Sequence, residues 1–134
     1  MNWRRTLALA LAAALTLTPI AQCAEEVPWY AEGENFVRRE GLMNGVEEGF
    51  APQTPATRAA VFQALWNMAG RPYPAKPFFY SDVPADAWYA TAAAWAKEQG
   101  LIAGDHDRAF RGDAVITRAE LSVVFERYLL QKGF

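Results

Sequence analysis

The 134-residue sequence predicts an all-α fold built from two copies of one helix-loop-helix unit, and three observations carry that prediction. Thr57-Arg58-Ala59 recurs as Thr117-Arg118-Ala119, 60 residues later. The residues leading up to each copy also match: Trp29-Tyr30 with Trp88-Tyr89, Phe36 with Trp95, Gly41-Leu42 with Gly100-Leu101, Gly45 with Gly104, and Phe50 with Phe110. The offset is 59 for the pairs up to Gly45 and 60 from Phe50 onward, so a single residue is inserted between them. Finally, apolar residues recur at helical spacing between glycine and proline breakers in both copies. A repeated unit that cannot bury its own apolar face stacks against its neighbour.

Each unit reads as helix, turn, loop, helix. In the second unit Trp88, Ala92, Trp95 and Ala96 share one face of the first helix, which stops at Gly100. Gly41 and Gly100 sit where a helix end needs a left-handed residue, and Leu42 and Leu101 follow where an apolar contact closes such a cap. Gly45 and Gly104 punctuate a second turn, and Pro52-Gln53-Thr54-Pro55 and Arg111-Gly112-Asp113 are too rich in breakers for helix. The second helix of each unit starts at its threonine. Thr117 with Glu120 three residues on forms a capping box, in which hydroxyl and carboxylate each satisfy an unpaired backbone N–H. Leu121, Val124, Phe125 and Tyr128 then make an apolar stripe, matched by Val61, Ala64, Leu65 and Met68, and these stripes are expected to be what the units bury together. Residues 25–70 form the first unit and 78–134 the second. Between them 71–77 is proline-rich, which excludes helix and predicts a stiff extended connector.

Residues 1–24 read as a secretory signal: Arg4 and Arg5, then an apolar stretch from Leu7 to Ala21, then small residues before Glu25-Glu26. That stretch is shorter than the roughly 20 residues needed to span a bilayer, and no other segment is apolar enough, so no transmembrane segment is expected after cleavage. Cleavage after Cys23 or after Ala24 both satisfy the small-residue preference, and either removes the only cysteine. A competing reading is a lipoprotein box at Ile20-Ala21-Gln22-Cys23, in which the cysteine is acylated and kept. Gln22 is bulky for that box. A diacylglyceryl mass increment on Cys23 would decide for it.

Without Arg4 and Arg5 the chain holds 11 basic and 15 acidic side chains, a formal charge of about −4. With no basic patch or stripe, nucleic acid is not an expected partner. With no cysteine pair in an exported chain, stability must come from packing.

Arg58 and Arg118 are the most informative polar residues, because each stands at the first position of a helix. A cation there faces the positive end of the helix dipole, at a cost of a few tenths to about one kcal/mol. Taken twice at equivalent places, that cost points to a compensating anion, since free N–H groups beside a guanidinium hold a carboxylate or phosphate well. The alternative is a carboxylate of the same chain, such as Asp82 or Asp113. Trp95 reads as core, whereas Trp29 and Trp88 open their helices beside a groove and could stack on sugar rings. Trp66 has Glu126 as its counterpart and is expected to be partly exposed. Asp105-His106-Asp107 lacks the glycine and glutamate of a calcium loop, and no nucleophile, base or paired carboxylates stand at catalytic spacing, so neither metal, cofactor nor enzyme activity is expected.

These residues together resemble the S-layer homology (SLH) motif of bacterial cell-surface proteins. Phe79-Tyr80-Ser81-Asp82-Val83-Pro84, Trp88-Tyr89, Gly100-Leu101-Ile102-Ala103-Gly104, Phe110 and Ile116-Thr117-Arg118-Ala119-Glu120-Leu121 follow the family's order. The resemblance implies an incomplete pseudo-threefold helical bundle with ligand grooves between neighbouring repeats. It also implies an exported, non-catalytic protein of the cell wall or cell surface that binds an anionic secondary wall polysaccharide, often one carrying a pyruvate ketal. Carried over residue by residue, Arg118 and Arg58 would meet the ketal carboxylate, Gly104 and Gly45 would let backbone approach the sugar, and Trp88 and Trp29 would form groove walls. Asp82 of the lead-in joins the same ligand set. Two departures stand out. The first unit has Ala60 where the family has glutamate and lacks the Phe-x-Asp-Val lead-in, and the chain holds two repeats where three are common. An open side of the bundle would then favour self-association or pairing with another SLH protein.

Overall fold

A computed structural model describes residues 26–47, 49–76, 78–102 and 108–134. The signal-like residues 1–24 with Cys23 lie outside these residues, as do Gly104 and the Asp105-His106-Asp107 stretch. Four helices follow one another: α1 (Ala31–Arg39), α2 (Arg58–Met68), α3 (Ala90–Glu98) and α4 (Arg118–Gln131). Among the described residues there is no sheet, only two isolated bridges, Val46 with Gly49 and Thr57 with Val115. None of the described helices is long and apolar enough to cross a membrane.

The helix ends follow the sequence signals. Thr57 and Thr117 are extended N-caps whose hydroxyls accept from the N–H of Ala60 and Glu120, each at 3.2 Å. Only the second is a full capping box, because Glu120 Oε2 accepts from Thr117 N–H at 2.8 Å and α2 has Ala60 there. At the C-termini, Leu42 N–H reaches back to Val37 O and Leu101 N–H to Ala96 O, at 2.8 and 2.9 Å. This pattern needs a left-handed residue in between, supplied by Gly41 (φ +66°) and Gly100 (φ +65°).

Two expectations are corrected. Trp29 and Trp88 do not open helices: they sit in turns closed by Ala31 N–H to Pro28 O and Ala90 N–H to Ala87 O, with Tyr30 and Tyr89 as N-caps. Neither second-helix stripe is buried as a whole. Helix α2 packs on α3, not on α4. Its buried residues are Ala59, Phe62 and Leu65, while Met68 is exposed; in α4 Val124 and Tyr128 are buried and Phe125 is not. Helix α3 makes this possible, since Ala92, Ala93, Ala94, Trp95 and Ala96 are all buried and the short alanines let α2 come close. Its repeat twin α1 has no buried residue.

The core is therefore shared between units rather than repeated within each. Phe62, Phe110 and Leu101 are fully buried, with Phe110 touching the rings of Phe62, Tyr80 and Tyr89 at 5.6, 5.3 and 5.5 Å. The connector over 71–76 is non-helical as expected and pinned at both ends: Trp66 Nε1–H donates to Pro72 O at 2.8 Å, and Glu98 accepts from Ala75 and Lys76 N–H.

Candidate functional site

The two Thr-Arg-Ala segments have different surroundings. At α2 the helix start is filled by the second unit's own loop. Arg58 N–H donates to Ala114 O and Ala59 N–H to Gly112 O, both at 2.9 Å. These are two of the N–H groups that a helix start leaves unpaired. The Arg58 guanidinium is also taken: Nε donates to Phe110 O at 3.0 Å and Nη1 pairs with Glu120 Oε1 at 3.2 Å, over the rings of Phe62 and Phe110. Its side chain is only 12% exposed. The own-chain alternative thus describes Arg58, but the carboxylate is Glu120, not Asp82 or Asp113.

Asp82 organises the loop that delivers those carbonyls. Its two oxygens accept from the N–H groups of Phe110 and Arg111, each at 2.7 Å. Desolvation pushes its pKa up, but those two N–H groups, its own backbone and the Arg111 charge outweigh it and hold the carboxyl below its ordinary value. Next to this loop, Gly112 is buried with no room for a side chain: a Cβ there would stand 2.6 Å from Tyr89 Cζ. Burial, then the charges of Asp113 and Asp82, push the Tyr89 phenol up.

Glu120 joins both halves of the junction, as capping partner of Thr117 and ion-pair partner of Arg58. The Thr117 N–H and hydroxyl bonds lower its pKa most, with the Arg58 charge adding to them against desolvation. Folded Glu120 and Asp82 therefore bind fewer protons than their unfolded counterparts. The stability they contribute is complete above the ordinary carboxylate values of 4.5 and 3.8 and is lost as pH falls through the lowered folded values. Acid titration of the melting temperature should show this loss below about pH 4.5, with a shallower slope in Glu120→Gln and Asp82→Asn.

At α4 the same tripeptide is open. Arg118 is exposed, and among the described residues neither its guanidinium nor the N–H groups of Arg118 and Ala119 make an ion pair or hydrogen bond. Trp88 is 63% exposed and stands edge-on to Tyr89 at 5.2 Å, so Trp88, Tyr89, Phe110, Arg58, Glu120 and Asp82 form one continuous junction. Trp29 is 92% exposed, and among the described residues the one ring it meets is that of Tyr30. Gly45, at φ +84°, closes a tight turn in which a Cβ would collide with Gly49 O. Sequence reasoning missed Phe110, Gly112 and Glu120 as junction residues. One signal was available: Gly112 and Glu120 stand opposite Pro52 and Ala60, so the twins differ where the units meet.

Two helix-loop-helix units joined through one copy of a doubled Thr-Arg-Ala segment define an all-α tandem-repeat module. The S-layer homology domain model matches residues 24–62 and 79–122, and the chain belongs to that family. Cell surface glycoprotein 1 of Acetivibrio thermocellus is 36% identical over 107 residues. The match covers 78% of this chain and 4% of that protein, so this chain spans a small part of its relative's length.

Proposed function

We propose that this chain is an exported, non-catalytic cell-envelope protein that binds an anionic wall polysaccharide non-covalently, with Arg118 as the principal anion contact. Family membership, a relative named as a cell-surface glycoprotein and the signal-like N-terminus support the setting. The carrying observation is the contrast between the arginines: Arg58 and its helix start are filled by the protein, whereas the Arg118 guanidinium and the N–H groups of Arg118 and Ala119 have no partner among the described residues. A ketal carboxylate fits such a group of donors. Trp88 and Trp29 offer exposed ring faces for sugar stacking.

Retention on purified sacculi should be lost when the acidic wall polymer is stripped and should weaken about tenfold or more in Arg118→Ala, the scale of a lost charged hydrogen bond. Retention unchanged by both treatments would remove the proposal. A second reading, an adaptor whose helices complete another protein's repeat bundle, is favoured by the unburied α1 and the open side of α4.

A further inference from the structure

The internal junction is a template for what the open side of α4 accepts. On α2, Arg58, Ala59, Phe62 and Leu65 face the second unit. Sixty residues on, Arg118, Ala119, Ser122 and Phe125 occupy the same helix positions, and Leu129 extends the row. All five are exposed, Phe125 by 45% and Leu129 by 43%. The unit packed on α2 contributes four things: Ala93 within the shared core, the Gly112 and Ala114 carbonyls, the Phe110 ring and the Glu120 carboxylate. Among the described residues the α4 row has none of these partners.

A second copy of this chain would have to supply them from its first unit. That unit has Glu34 in place of Ala93, Pro52 in place of Gly112 and Ala60 in place of Glu120. Glu34, which pairs with Arg38 at 3.0 Å, would bring a charged pair into the apolar contact, and Ala60 has no carboxylate for Arg118 to pair with.

We propose that the Arg118–Ser122–Phe125–Leu129 row of α4 docks a repeat unit built like this chain's second unit, with alanine, glycine and glutamate at the positions of Ala93, Gly112 and Glu120, and that Glu34, Pro52 and Ala60 exclude a second copy of the chain. This rests on the adaptor reading. Charge complementarity and continuity with the existing α2 junction choose the occupant.

The test copies those three positions from the second unit into the first, as Glu34→Ala/Pro52→Gly/Ala60→Glu in the full chain. Sedimentation velocity over a concentration series should show monomer for the unaltered protein and concentration-dependent association for the triple variant. Adding Arg118→Ala should weaken that association about fivefold, as for a partly exposed ion pair. Circular dichroism confirms that the triple variant is folded, and Ala60→Glu should itself raise its melting temperature by completing the α2 capping box. If the unaltered chain associates as strongly as the triple variant, the α4 face docks but the exclusion is overturned. If the folded triple variant stays monomeric, the α4 docking surface is overturned; the adaptor reading, which also draws on the unburied α1, is overturned separately if the unaltered chain fails to co-purify with a larger surface protein. Association that ignores Arg118→Ala overturns the arginine tie.

Discussion

Phe110→Ala should lower the unfolding free energy by about 3–5 kcal/mol, whereas its repeat twin Phe50→Ala should lower it by about 1–2 kcal/mol. Phe110 is fully buried, touches three other aromatic rings, lies under the Arg58 guanidinium and lends its carbonyl to Arg58 Nε. Removing its ring leaves a cavity at the one place where α2, the lead-in segment and the turn before α3 meet. Phe50 is only half-buried, in the unit whose first helix has no buried residue. A domain of this size is stable by about 5–15 kcal/mol, so Phe110→Ala approaches the whole margin. Urea denaturation of the two variants measures both numbers. Equal losses would mean that each unit has its own core, contrary to the shared core described here.

Arg58→Ala should cost about 2–3 kcal/mol of stability and Arg118→Ala essentially none, the reverse of the ranking proposed for wall binding. Arg58 holds a carbonyl, a carboxylate and two ring faces while mostly buried, and its loss leaves the Phe110 carbonyl without that donor. The cost stays below that of a fully buried pair because Glu120 is 45% exposed and water can replace part of the interaction. Arg118 has no partner to lose among the described residues. Melting curves of the two variants beside their sacculus binding would separate the roles of two residues that share the same Thr-Arg-Ala tripeptide. A destabilised Arg118→Ala or an unaffected Arg58→Ala would contradict this division.

The starts of α2 and α4 and the stops of α1 and α3 were legible because they depend on short-range chemistry, whereas the turns that precede α1 and α3 were not. Thr57 and Thr117 as caps, Glu120 as capping partner, Gly41 and Gly100 as left-handed stops, and the non-helical connector all follow from residues within a turn of one another. The burial of Trp95 and the partial exposure of Trp66 were also readable from helix position and from the Trp66–Glu126 mismatch. The stripe assignment was not. Periodicity places Phe125 beside Tyr128 on α4, but only packing decides that Val124 and Tyr128 turn inward while Phe125 stays out.

By itself, then, the sequence determined that the chain is two copies of one helical unit, where α2 and α4 start and α1 and α3 stop, and that Arg58 and Arg118 stand at helix starts. Those properties reside in the chain's own neighbours. Tertiary structure decided which arginine the protein keeps for itself. Once α2 packs on α3, the Gly112 and Ala114 carbonyls and the Glu120 carboxylate, all more than 50 residues away along the chain, close over Arg58. The equivalent surface of α4 has no described unit packed against it, and among the described residues Arg118 is left to the solvent.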